Sequence, residues 1–241
     1  MSPDARSGEG GKMGKDGRAG GAEEREGEYG RPHAGGRGRR RKGTILLVTG
    51  LSLVLAGLLT LAGVFAYIRY TNHRAAAAQK ELFRAWEERP LSPGKDVVAV
   101  GDGIARLVVP RMGLDAIVVE LWGLDDNENL KRGPGHIPDT AYPGEAGNCV
   151  ISGHRTTYGA PFRHIEQLEP GDEIILETAS NRFVYRVYGQ RIVAPSDLSV
   201  LEQEANPKVT LTACHPWYSA AQRIVVMGNL AESESFSGQK P

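Results

Sequence analysis

The sequence predicts an all-β domain, a closed barrel of seven or eight short strands with a few short helices, preceded by one transmembrane helix. Three observations point there. From Gly103 onward the chain breaks into short runs rich in β-branched and aromatic residues, separated by turn residues. Residues 44–68 form an unbroken run without a single charged side chain, longer than the roughly 20 apolar residues that span a bilayer. The first 43 residues contain no Val, Ile, Leu, Phe or Trp, so they cannot bury enough surface to offset the entropy of ordering.

Taken in order, residues 1–43 read as a disordered tail. They carry 11 basic and 7 acidic residues and 13 of the 31 glycines. Residues 44–68 read as a membrane anchor. A signal peptide has an apolar region of only about 7–15 residues, so the Ala75-Ala76-Ala77 stretch is the weaker reading as a cleavage site. Arg37, Arg39, Arg40, Arg41 and Lys42 precede the run, while only Arg69 and Arg74 follow closely. The positive-inside rule then puts the N-terminus in the cytoplasm and the rest outside, with Tyr67 and Tyr70 at the outer interface. Residues 69–102 read as a helical stalk and linker, because the alanine-rich stretch 74–88 is halted by Pro90 and Pro93.

Residues 103–231 carry the expected barrel, and 232–241 a C-terminal tail. Strands are predicted at 105–109, 116–121, 148–152, 173–178, 182–193, 209–214 and 223–230. The alternation of Phe183, Tyr185 and Val187 with Val184, Arg186 and Tyr188 has the period of two that a strand requires. Short helices are predicted at 162–168 and 196–202. So many strands in so short a stretch fit one closed sheet better than a helical or α/β domain.

Lys+Arg and Asp+Glu number 29 each, which argues against a nucleic-acid binder, since that would need a basic excess. Two cysteines are too few for a disulfide scaffold. Attention falls instead on Cys214. On a strand, Val209, Leu211 and Ala213 would face the core and Thr210, Thr212 and Cys214 the more polar side, with Pro216 ending the run. His215 would point away from Cys214. His154 follows another strand at its exit, and Arg223 opens the strand after Cys214. Singly, each has a plainer reading: a buried thiol, a loop histidine, a solvated arginine. Jointly, at three strand ends, they read as a usable thiol, a histidine partner and a guanidinium that would stabilise an oxyanion or help hold the thiolate.

LTACHP followed by Arg223, together with the segment GPGHIPDTAYPGEAGNCVISGHRTTYGAPF (133–162), resembles the sortases, membrane-anchored cysteine transpeptidases of Gram-positive cell surfaces. The HRTTYGAPF and ACHP forms are most similar to class E, with class D less similar; the absence of a D-P-W or D-P-F lid speaks against class C. The resemblance implies Cys214 as nucleophile, His154 as general acid/base and Arg223 as oxyanion stabiliser. It implies cleavage of the Thr–Gly bond in an LAXTG or LPXTG sorting signal through a thioacyl enzyme, and transfer to an amine of a peptidoglycan precursor. His154 and Arg223 are the cations available to favour a thiolate at a thiol whose ordinary pKa is about 8.5. An L,D-transpeptidase fits less well, since its His-Gly-Cys order is not that of Ala213-Cys214-His215-Pro216. A binding module with an inert Cys214 is the non-enzymatic alternative.

Tyr158, Pro161, Phe162, Pro195, Trp217 and Tyr218 lie in loops near the three residues and would line an apolar groove for the signal, or else serve loop packing. Thr212 would assist the substrate or satisfy a strand edge. Cys149 lies five residues before His154, about 16 Å along a strand, too far from Cys214 for a disulfide; a free, buried thiol is expected. No cofactor is expected. The acidic run 125–128 shows no matching calcium ligand set, and no Cys/His spacing suits zinc.

Overall fold

The structure, a computed structural model, describes residues 36–88 and 98–236, with side chains from residue 41 onward. Most of the expected N-terminal tail, part of the linker and the last residues of the C-terminal tail lie outside the described residues. The chain divides into two units, residues 1–54 and 55–241. In the first, every described residue is helical.

One helix, α1 (Gly36–Glu88), runs through the apolar segment and the alanine-rich stretch. It starts earlier than expected: residues 36–43 are helical rather than disordered. Arg and Lys are good helix formers, and extending an existing helix costs far less than nucleating one. Within α1 an 18-residue window has mean hydropathy 2.4, long and apolar enough to cross a membrane.

Eight strands close into a barrel in the order β1-β2-β3-β4-β7-β8-β6-β5. They are β1 (Gly103–Val109), β2 (Leu114–Glu120), β3 (Gly135–His136), β4 (Asn148–Gly153), β5 (Glu173–Glu177), β6 (Asn181–Val193), β7 (Lys208–His215) and β8 (Gln222–Ser235). Seven match the expected strands to within a few residues at each end. The eighth, β3, has two residues, too few to show any alternation in sequence. β8 runs on through residues 232–235, which were assigned to the tail, because β6 is long enough to pair with it as far as Asn181↔Ser235. The two expected helices shrink to 3₁₀ turns, Ile165–Gln167 and Leu198–Leu201. A short helix, α2 (Asn127–Leu130), capped by the Asp126 carboxylate, was not expected.

Leu107, Ile151, Phe162, Leu176, Tyr185 and Leu211 are among the fully buried side chains that fill the barrel. A second cluster lies outside it, where Leu82 and Trp86 of α1 cover Ile117, Val119 and Val150. The stalk is therefore docked on the barrel. Because β3 pairs only with Val119 and Glu120, the edge of β2 at Ile117 is open, and Gln79 closes it as a strand would. Its Oε1 accepts from Ile117 N at 2.8 Å and its Nε2 donates to Ile117 O at 3.0 Å and Arg132 O at 2.9 Å. Farther along α1, Asn72 Oδ1 accepts from Gly159 N at 2.9 Å.

One glycine is irreplaceable on geometric grounds. Gly144 sits at φ 85°, where a side chain would overlap the Phe183 ring, while its N–H donates to the buried Tyr185 hydroxyl at 2.8 Å. Gly144→Ala is expected to cost about 2 kcal/mol or more, read as a melting point lowered by several degrees with the same circular dichroism spectrum. An unchanged melting point would refute it.

Candidate active site

β4 and β7 run parallel, so both strands exit at the same rim of the barrel. Their register pairs Cys149↔Val209, Ile151↔Leu211 and Gly153↔Ala213, all in the core, and between these Val150↔Thr210 and Ser152↔Thr212 on the opposite face. One step further along each strand come His154 and Cys214, on the same outer face as Ser152 and Thr212. On the other side of β7, antiparallel β8 places Arg223 directly opposite Cys214, and cross-strand partners project to the same side of the sheet.

His154, Cys214 and Arg223 together line a cavity of about 400 Å³. Ser152 and Thr212 form part of its floor. Leu124, Asp125 and Leu130 come from the β2–β3 connection, and Pro195, Leu198 and Leu201 from the β6–β7 connection. The loop carrying Leu198 is held over β4 by Asn148, whose Nδ2 donates to Val200 O at 2.8 Å, and by Gln203, whose Oε1 accepts from Asn148 N at 2.8 Å.

Each of the three groups has its chemistry left open. Cys214 is a free thiol, partly exposed. The Nε2 of His154 is buried and has no hydrogen-bond partner among the described residues. The Arg223 Nη1 donates to Ala220 O and Gln222 O, both at 3.1 Å, and no carboxylate among the described residues pairs with the guanidinium. Burial, and to a lesser extent the charge of Lys131, holds His154 below its ordinary value of 6.5. The sequence offers His154 and Arg223 as the cations available to a thiolate; the burial of His154 favours its neutral ring. A thiol, a neutral imidazole and a guanidinium on one cavity face can supply nucleophile, proton carrier and oxyanion donor.

Of the residues expected to bind substrate, Thr212 lines this cavity. Phe162 does not: it is 0% exposed inside the barrel, where its ring packs against the Cα of Gly153, so it is core. Tyr158 packs against the His154 ring, with centroids 4.9 Å apart and the rings tilted by 38°, and faces a separate depression toward α1. Trp217 presents its ring to Arg155 and Arg163, at 5.6 and 5.1 Å. Tyr218 is 80% exposed. Neither Trp217 nor Tyr218 lines the cavity. Leu124, Leu130, Leu198 and Leu201 were missed, although a leucine in a polar loop such as Ser196-Asp197-Leu198 is the kind of residue a groove needs. His215 does turn away from the cavity and binds Arg155. Cys149 is free and 1% exposed; burial pushes its thiol far up, which suppresses the reactive thiolate. Asp126 of the acidic run is buried and spends its carboxylate on Trp122 and Asn129.

The sortase domain family matches residues 107–231, just over half of the chain. The chain belongs to the sortase family. Sortase SrtE2 of Streptomyces coelicolor is 33% identical over 236 residues, covering 86% of this chain and 91% of the relative. Sortase SrtE1 of the same organism is 35% identical over 207 residues, covering 78% of this chain; the chain spans 58% of that relative's length. The crystal structure of Sortase E1 from Streptomyces coelicolor, with a tripeptide in the active site, superposes with TM-score 0.53 at 31% identity, covering 60% of this chain and 98% of that one. Class D sortases are also among the matches. The protein is a sortase-type enzyme with class E relatives, and its eight-stranded mixed barrel is the sortase fold.

Proposed function

We propose that this sortase is a single-pass membrane transpeptidase whose catalytic groups are Cys214, His154 and Arg223. The observation that carries the proposal is their arrangement in one row across β4, β7 and β8, facing one cavity. The N-terminus is placed in the cytoplasm and the barrel outside, a reading that the basic cluster before the apolar run supports. The substrate is a C-terminal sorting signal of LAXTG or LPXTG type, in line with the tripeptide held by the related Sortase E1 structure.

The chemistry follows from the groups. Cys214, having given its proton to His154, attacks the Thr carbonyl carbon with its sulfur. The S–C bond forms, and Arg223 holds the oxyanion that develops. The Thr–Gly C–N bond then breaks while His154 returns the proton to the glycine amine. An acceptor amine of a peptidoglycan precursor attacks the thioester; its proton passes to His154 and the C–S bond breaks, freeing Cys214. Apolar side chains Leu198, Leu201 and Leu130 would take the apolar end of the signal, and Thr212 the polar backbone beneath it.

Intact mass spectrometry of the full chain in detergent micelles tests this. Incubation with an LAXTG peptide is expected to add the mass of the acylated fragment, and a glycine-based amine to release it as a ligated peptide. An LPXTG peptide in the same series reports the preferred motif. Rapid alkylation of Cys214 with no adduct from either peptide would sink the substrate assignment.

A further inference from the structure

Arg155 directly follows His154 in the chain and takes no part in the steps above. Its side chain is 3% exposed; Nε is buried without a partner among the described residues, and both terminal nitrogens are used. One partner is an acid: Nη2 donates to Glu166 Oε2 at 2.8 Å. The remaining partners all belong to the exit of β7. Nη1 donates to His215 Nδ1 at 3.0 Å and, at a longer 3.4 Å, to the backbone oxygen of Cys214. The Trp217 ring lies 5.6 Å from the guanidinium carbon. An ion pair serving stability alone would need Glu166 and nothing more. This fork gathers three residues from the turn that carries Cys214.

The placement matters because the β4–β7 ladder stops short of the chemistry. Its last pair is Gly153↔Ala213, and His154 and Cys214 each stand one residue beyond it. On the other flank β8 stays paired with β7 through Cys214↔Arg223 and His215↔Gln222. The sheet therefore fixes Cys214 against Arg223 but leaves its spacing from His154 unset. Arg155 takes the place of the missing rung, from the residue beside His154 to the carbonyl of Cys214. It also dictates the His215 tautomer: Nδ1 accepts, so the proton sits on Nε2, and the ring is tied away from the cavity that His154 lines.

We infer that Arg155 is a positioning residue that sets the His154–Cys214 geometry by clamping Cys214, His215 and Trp217 to the His154 loop. The inference rests on the assignment of Cys214 and His154 as nucleophile and acid/base. Arg155→Lys keeps the charge and removes the planar fork. His215→Ala removes one arm of the clamp, and His215→Asn restores an acceptor oxygen close to where Nδ1 stood.

The test uses the full chain in detergent micelles. It measures kcat and KM for the sorting peptide and the pH profile of Cys214 alkylation by iodoacetamide, followed on the Cys214 peptide by mass spectrometry. Arg155→Lys is expected to lower kcat about 10- to 100-fold with KM within about twofold, and to displace the alkylation profile. His215→Ala is expected to do the same more weakly, and His215→Asn to recover most of the loss. Folded variants with a lower melting point but wild-type kcat and an unmoved alkylation profile would overturn the inference and leave Arg155 a structural residue. If the wild type itself does not turn over the peptide, the alkylation profile decides alone: displacement in Arg155→Lys upholds the positioning role while the substrate assignment falls, and an unmoved profile rejects it. If Arg155→Lys does not fold, the two His215 variants decide by the same criteria.

Discussion

Cys214→Ala is expected to form no acyl adduct and to retain no measurable turnover of the sorting peptide, while keeping the wild-type fold and melting behaviour. The loss is complete because no second thiol can stand in. Cys149 faces the core five residues back along the neighbouring strand, and burial disfavours its thiolate. The fold is spared because Cys214 lies on the outer face, outside the buried cluster that holds Val209, Leu211 and Ala213, so the substitution opens no cavity in the core. Peptide turnover and intact mass spectrometry read the first half, thermal unfolding the second. Adduct formation in this variant would remove Cys214 from the mechanism.

His154→Ala is expected to lower kcat/KM by about a thousandfold, within the range of roughly 10²–10⁴ for a positioned general acid/base. Iodoacetamide should still label Cys214 in that variant, which separates loss of the proton carrier from loss of the nucleophile. Retention of more than about a tenth of wild-type kcat/KM would assign the proton transfer to another group. The same variant carries a signature in stability. The folded-state pKa of His154 lies below 6.5 because of burial and Lys131. As pH falls through 6.5, the unfolded chain therefore takes up this proton first. The native state loses stability on the way down to the folded-state pKa and loses no more from this group beneath it. His154→Ala removes that slope, so the two melting-temperature curves should run parallel above pH 6.5 and draw closer below it. Curves that stay parallel throughout would mean that the ring titrates freely in the folded protein.

The barrel was legible because its signals are local. β6 alternates from Tyr185 to Tyr188, β7 separates its apolar residues from Thr210, Thr212 and Cys214, and a charge-free run needs only counting. The strand-end positions of Cys214, His154 and Arg223 were legible for the same reason, since strand ends can be read from alternation and proline. The groove walls were not. Leu124, Leu130, Leu198 and Leu201 owe their place to two loops folding over β4 and β7, held by Asn148 and Gln203, and no periodicity reports such a contact. Phe162 was misplaced because nearness in sequence to His154 says nothing about which face of the sheet a ring enters. The docking of α1 was hidden too, since its decisive contact, Gln79 on Ile117, is a single polar side chain spanning 38 residues of sequence.

The opposite facing of the two cysteines carries a consequence for oxidation. Cys149 points into the barrel and Cys214 out of it, on neighbouring strands but several residues apart along them, well beyond the 4.4–6.8 Å Cα separation of a disulfide. The protein thus holds no resolving thiol. A sulfenic acid formed at Cys214 has no thiol of this chain to condense with, so a disulfide cap must come from a small-molecule thiol or a cysteine of another chain, and an uncapped sulfenic acid is open to irreversible oxidation to the sulfinic acid. In an oxidising surrounding, rescue of Cys214 as a disulfide then depends on thiol supplied from outside the chain.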